Sequence, residues 1–178
     1  TNHPINRNLC YSFALGAKSM MCHVDNFKDY SKSIATYGYL RGTGEVIKKS
    51  KLFFYMDHGY FSQSKRTFEK NKTKINNLDG YFRVVFNDYW HSGLGNKSSE
   101  RLNKLDLKFK KINENGKYII VSEPTLDAMN YFNLHSWAEL TVKEIKKFTD
   151  RKIVFHNRTA SISLKNLLKN AWAFVSDH

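Results

Sequence analysis

The sequence predicts an α/β fold of parallel sheets with flanking helices, and three observations carry that expectation. Lys51 to Met56 holds a continuous apolar run (Leu52, Phe53, Phe54, Tyr55, Met56) bounded by polar residues, the pattern of a strand buried on both faces. From Tyr118 to Val175 the segments alternate as β-α-β-α-β, which implies parallel strands joined by right-handed crossovers. The 178 residues include only two Cys and two Pro, and no internal repeat, so a disulfide scaffold, a collagen and a coiled coil are excluded.

Each element has a local cause. Tyr11 to Met21 carries Phe13, Ala14, Leu15 and Ala17 and is expected to be helical. Ser33 to Leu40 reads as a short strand ending at Arg41-Gly42-Thr43-Gly44, with Thr43 placed to cap a helix over Gly44 to Lys49. The buried strand follows, with Asp57-His58-Gly59 at its carboxyl end. Phe61 to Asp79 is polar and Lys-rich and reads as a loop; Tyr81 to Phe86 is another β-type run, and Asn87 to Lys97 a second loop. Ser98 or Ser99 is positioned to start a helix through Leu105. Lys110 to Gly116 has turn chemistry throughout and is expected to link two domains, residues 1–112 and 116–178.

In the second domain, Tyr118 to Val121 is a strand closed by Ser122-Glu123-Pro124, because Pro124 has no N–H to give a ladder. Ser136-Trp137-Ala138-Glu139 has the spacing of a capping box. In the helix it starts, Trp137, Leu140, Ile145 and Phe148 share one face, and Glu139 stands four residues before Lys143 on the other. Lys152 to Phe155 is a strand, Ser163 caps a helix carrying Leu164, Leu167, Leu168 and Ala171, and Trp172 to Val175 is β-like again.

Charge narrows the partners without choosing one. There are 29 Lys and Arg against 16 Asp and Glu, a net +13 that favours polyanions: nucleic acid, nucleotide-sugar phosphates or an acidic surface. Lys48-Lys49-Ser50-Lys51, Lys70 to Lys74 and Lys108-Phe109-Lys110-Lys111 interleave with aromatics, either to follow a phosphate backbone or as solvated surface. The core motif of an RNA-recognition sheet is missing, and Gly80-Tyr81-Phe82-Arg83 only echoes it. No apolar stretch approaches the roughly 18 residues that cross a bilayer, and Thr1 to Arg7 lacks a signal-peptide core, so the expectation is a cytoplasmic protein without a transmembrane segment. Cys10 and Cys22 form no CxxC pair and are expected to be packing residues.

Four clusters could carry chemistry. Asp57-His58 ends a buried strand, where a carboxylate can orient an imidazole as acid or base, or where both are simply turn residues. Arg41-Gly42-Thr43-Gly44 links a strand to a helix, so its backbone N–H groups could hold a phosphate; without a full GxGxxG or a Walker Lys it also reads as an ordinary βα turn. His156-Asn157-Arg158 follows a strand, where the guanidinium could clamp a diphosphate or form plain basic surface. Ser176-Asp177-His178 lacks a nucleophile elbow and is not a hydrolase triad. Asp79 and Asp150 are isolated and no metal motif is present, so neither a metal nor a cofactor is expected. His91 and His135, each near a Trp, are read as packing residues.

Three strings carry a family likeness: Tyr37-Gly38-Tyr39-Leu40-Arg41-Gly42-Thr43-Gly44-Glu45, Phe54-Tyr55-Met56-Asp57-His58-Gly59-Tyr60-Phe61 and Gly80-Tyr81-Phe82-Arg83. They resemble phage and bacterial glycosyltransferase-like proteins of the two-Rossmann-domain (GT-B) type. Leu168 to Ser176 resembles the segment that in those proteins leads into a Ser/Asn-rich turn, a helix and a Gly-Ile-Pro strand of the donor pocket. The resemblance implies a first Rossmann-like, acceptor-side domain with Asp57 and His58 facing the cleft. It implies a second, donor-side domain in which Pro124, Arg158 and Ser176 approach a nucleotide sugar, the co-substrate. That second domain would be incomplete, so the chain is expected to be a fragment, inactive alone. The acceptor is left open, DNA and glycans included. The rival expectation is a non-enzymatic basic α/β module that binds nucleic acid through residues 65–74 and 104–111; a third is a Rossmann-like protein that has lost its chemistry.

Overall fold

A computed structural model describes residues 4–59, 65–68, 74–77, 82–90, 100–104, 111, 113–157 and 163–177. The chain divides into two compact units, Thr1–Asp106 and Leu107–His178. Each is a small mixed α/β assembly.

In the first unit, α1 spans Pro4–Gly16, earlier at both ends than the apolar content of Tyr11 to Met21 suggests. Proline costs nothing at a first helical turn, where its missing N–H would be unpaired anyway. Leu9, Cys10, Phe13 and Ala14, spaced three and four apart, are its covered stripe, and the Phe13 ring lies 5.5 Å from that of Phe54. β1 (Ile34–Tyr37) leads through a tight loop into α2 (Thr43–Lys49) and then β2 (Phe53–His58). β1 and β2 are parallel, Ile34 opposite Phe53 and Tyr37 opposite Met56. One sheet face packs Ile34 and Tyr55 against Val46 and Ile47 of α2, with Phe27, Tyr30 and Tyr89 around them. Met56, on the other face, is fully buried.

The sheet is not all-parallel as expected. β5 (Phe82–Phe86) pairs with β2 antiparallel, Asp57 opposite Arg83 and His58 opposite Phe82. The described part of the connection from β2 to β5 is an antiparallel hairpin, β3 (Lys65–Phe68) on β4 (Lys74–Asn77). A parallel return needs a crossover, normally a helix, and none is described between these strands. Within the loop expected over 61–79, the described residues 65–68 and 74–77 are paired strands instead, despite a sequence poor in β-formers. Of the helix expected from Ser98 or Ser99 through Leu105, the described part is α3, Glu100–Asn103; Ser98, Ser99 and Leu105 lie outside the described residues.

The second unit follows the expected strand order, with two helices rather than one in its first crossover. β6 (Tyr118–Ser122) lies between β7 (Lys152–His156) and β8 (Ala171–Ser176), and all three are parallel. The β6-to-β7 connection carries α4 (Leu126–Phe132) and α5 (Trp137–Ile145), and the β7-to-β8 connection carries α6 (Leu164–Leu168). These crossovers run in opposite directions, so right-handed connections place their helices on opposite faces. The burial of β6 agrees. Ile119 and Val121 point to one face and Ile120 to the other, and none is more than 2% exposed.

Two expected caps are absent. Ser136 precedes α5 with φ −97° and ψ 6°, off the extended conformation a cap side chain needs, and makes no capping bond. Ser163 makes none either. Trp137, Ala138, Thr141, Val142 and Ile145 of α5 are partly covered; of the expected face, Trp137 and Ile145 are among them, while Leu140 and Phe148 are exposed. No described helix is long and apolar enough to cross a membrane.

Candidate functional site

Asp57 and His58 are the last two residues of β2, and successive strand residues point to opposite sheet faces. The structure therefore does not bring the carboxylate to the imidazole as the acid/base reading requires. Asp57 is instead held by its own face. Its Oδ2 accepts from the Tyr55 hydroxyl at 3.0 Å and the Arg83 guanidinium at 3.3 Å, and its Oδ1 from the His58 backbone N–H at 2.7 Å. Arg83 stands over the rings of Trp90 at 4.9 Å and Tyr55 at 5.7 Å. The pair is sealed on the cationic side and open on the anionic one: the Arg83 side chain is 10% exposed and that of Asp57 31%. Burial, reinforced by the Asp57 charge, raises the Tyr55 hydroxyl far above the ordinary range, so it stays a proton donor to Asp57. This is a carboxylate oriented to accept a hydrogen bond from outside.

On the other face, His58 stacks on Phe82 with centroids 5.5 Å apart and meets the edge of Tyr37 at 5.7 Å. Its Nδ1 is buried without a hydrogen-bond partner. Burial first, and the Asp57 charge second, push the Tyr37 hydroxyl up to about 12.

The loop Arg41-Gly42-Thr43-Gly44 turns on itself. Arg41 and Gly42 both take positive φ, 58° and 88°. The N–H groups expected to meet a phosphate bond inward: Gly44 N–H to the Tyr39 carbonyl at 2.9 Å and Thr43 N–H to that of Leu40 at 3.4 Å. Thr43 is the first helical residue rather than the cap, and its hydroxyl donates back to the carbonyls of Leu40 and Gly38 at 2.7 and 3.0 Å. The Thr43 and Gly44 donors are thus spent within the βα turn itself.

In the second unit, two of the residues singled out in the sequence, His156 and Ser176, share one row with Ser122. Ser122, at the end of β6, is the register partner of His156 on β7 and of Ser176 on β8. Register partners share a face, so two hydroxyls and an imidazole line up across three parallel carboxyl ends, where ligands of open α/β sheets bind. The His156 Nδ1 is buried without a hydrogen-bond partner. Pro124, two residues beyond Ser122, is buried, and the Glu123 N–H between them donates to the His156 carbonyl at 3.0 Å. Arg158 and His178 lie outside the described residues, as does His91.

Sequence reading missed Ser122, Tyr55 and Arg83. Ser122 was legible as a strand end but not as the middle of a row, which depends on strand order. Arg83 required knowing that β5 runs antiparallel beside Asp57. Among the described residues no three His, Cys, Asp or Glu side chains gather as metal ligands would. Compared with known proteins, the chain matches no family model, no curated protein and no solved structure.

Proposed function

We propose that this chain acts in sugar transfer from a nucleotide sugar, in a two-Rossmann-domain (GT-B) arrangement. The second unit takes the donor phosphates and the first presents Asp57 to the acceptor. One observation carries the reading: the row Ser122, His156 and Ser176 at the carboxyl ends of β6, β7 and β8, with an unpartnered buried nitrogen in its imidazole. Hydroxyls and imidazole N–H groups are donors that phosphate oxygens accept. The resemblance of Tyr37 to Phe61 to glycosyltransferase-like proteins supports the same reading.

In the transfer step, an acceptor hydroxyl oxygen bonds to the anomeric carbon while the bond from that carbon to the diphosphate oxygen breaks. The hydroxyl proton passes to the Asp57 carboxylate, and the diphosphate leaves with the electron pair. Tyr55 and Arg83 hold that carboxylate in place as the proton arrives. His58 faces the other side of the sheet and takes no part in this step. Arg158 is the residue the resemblance assigns to the departing diphosphate.

Calorimetric titration with uridine, guanosine and thymidine diphosphate sugars tests the donor half. His156→Ala and Ser176→Ala are expected to weaken binding of the preferred donor at least tenfold. Asp57→Asn should leave donor binding intact and abolish any sugar transfer that the parent protein carries out. No binding of any of these nucleotide sugars, or equal binding by His156→Ala, sinks the proposal.

A further inference from the structure

The donor site leaves most of the positive charge unused. Residues 27–51 hold six basic side chains, Lys28, Lys32, Arg41, Lys48, Lys49 and Lys51, against Asp29 and Glu45, and all six are exposed. The fold gathers five of them at one end of the first sheet. Ile34 and Phe53 are register partners at the amino-terminal starts of β1 and β2, so Lys32 and Lys51, each two residues earlier, enter side by side. Phe27 and Tyr30 pack on the core with α2, Lys28 lies between them in the chain, and the Lys49 ammonium stands 5.7 Å from the Tyr30 ring centre.

The acidic neighbours are already engaged. Asp29 pairs with Lys32 at 3.0 Å and Glu45 with Lys48 at 3.3 Å. Asp88, which follows β5 to the same end, accepts from the Tyr89 and Trp90 N–H groups at 2.6 and 3.3 Å. Lys28, Lys49 and Lys51 have no carboxylate within ion-pair distance among the described residues. The helix dipole accounts for cations in the last turn of α2, Lys48 and Lys49, but not for Lys28, Lys32 and Lys51, which lie outside helices. Nor do they serve Asp57. Six extended residues separate Lys51 from Asp57, about 20 Å at about 3.3 Å per residue, roughly two screening lengths at physiological salt.

We propose that the amino-terminal end of the β1–β2 pair is a binding surface for the phosphodiester backbone of a nucleic acid. Ammonium groups meet phosphates as point charges and carry no base information, so the surface binds without regard to sequence. This inference stands whether or not the chain transfers sugar.

The test is fluorescence anisotropy of a labelled oligodeoxythymidylate and an oligouridylate, titrated with the full chain over a salt series. Two variants are compared: Lys28→Gln/Lys49→Gln/Lys51→Gln, and a charge-matched control in the second unit, Lys117→Gln/Lys165→Gln/Lys169→Gln. All six positions are exposed. The first triple is expected to weaken binding at least tenfold and to flatten the log–log salt dependence by about 2, at about 0.7 per single-strand phosphate contact. The control should change both by less than half as much. A preference between the two oligonucleotides then names the nucleic acid, and equal binding assigns the contact to the backbone alone. Equal loss in both triples would reduce the effect to net charge and overturn the proposal, as would no binding by the parent chain. Tighter binding to phosphatidylserine vesicles than to either oligonucleotide, lost in the first triple, would overturn it in favour of a membrane surface.

Discussion

At Gly116 an added Cβ would overlap the backbone N and Cα of Trp172 and stand 2.6 Å from the carbonyl carbon of Ala171. Those atoms are main chain in β8, so no rotamer change can make room. The approach has a cause in the register: β8 shifts between Tyr118 and Ile119, whose partners are Ala171 and Ala173, and leaves Trp172 as the extra residue of a bulge. The Arg151 guanidinium lies 4.6 Å from the Trp172 ring and its Nε donates to the Gly116 carbonyl at 3.4 Å, while the Asn113 side chain donates to the Ala171 carbonyl. Gly116→Ala is therefore expected to cost about 2–3 kcal/mol, the upper part of the range for overpacking. Gly16, with nothing within 4 Å of its ideal Cβ, is the control, and Gly16→Ala should be close to neutral. Urea unfolding separates the two, and equal midpoints would show that the β8 backbone yields at no cost. Nothing in the turn-rich string 110–116 distinguishes this glycine from a flexible linker residue, since the contact is made 56 positions later in the chain.

Short elements show where local signals mislead. Thr125 is an N-cap in extended conformation, φ −68° and ψ 155°, and its side-chain oxygen accepts from the Ala128 N–H at 3.3 Å. Ser136 heads a better capping-box sequence and makes no such bond. Thr125→Ala is thus expected to lose about 1 kcal/mol of stability, and Ser136→Ala only a few tenths; guanidinium melts of the two variants, read by circular dichroism, check the order. If Ser136→Ala costs as much as Thr125→Ala, the serine caps in solution. The buried strands β2 and β6 were legible because a run of apolar residues needs no partner to be recognised. α4 was not, because its seven residues span less than two turns and give periodicity little to act on. The candidate site divides in the same way. Its residues at strand ends, Asp57, His156 and Ser176, could be picked out locally. Which of them meet depends on strand order and alternation, which separate Asp57 from His58 and join His156 and Ser176 through Ser122.

On the scale of the whole chain, alkaline pH should act on the first unit through Tyr37 on β1 and Tyr55 on β2. The Tyr37 hydroxyl is held at about 12, chiefly by burial and secondarily by the Asp57 charge, and Tyr55 is raised further by the same causes and by its hydrogen bond to Asp57. Both phenols ionise near 10 in an unfolded chain. A folded value above the unfolded one means that the native state binds more protons between the two, so stability is fully present below pH 10 and falls as pH rises through about 12. A rise of this size corresponds to about 2.7 kcal/mol, but a half-buried ring is screened by water, so Tyr37 is assigned on the order of 1 kcal/mol. Tyr37→Phe removes the ionisable group and keeps the ring against His58 and Phe82, whereas Tyr55→Phe would also remove the donor to Asp57 and confuse the result. Tyr37→Phe is expected to leave stability unchanged at neutral pH and to move the alkaline unfolding midpoint upward. Circular dichroism followed alongside tyrosinate absorbance reads both quantities in one titration. An unchanged midpoint would mean that Tyr37 ionises in the folded unit without penalty, and that its ring is wetter than its position between His58 and Phe82 implies.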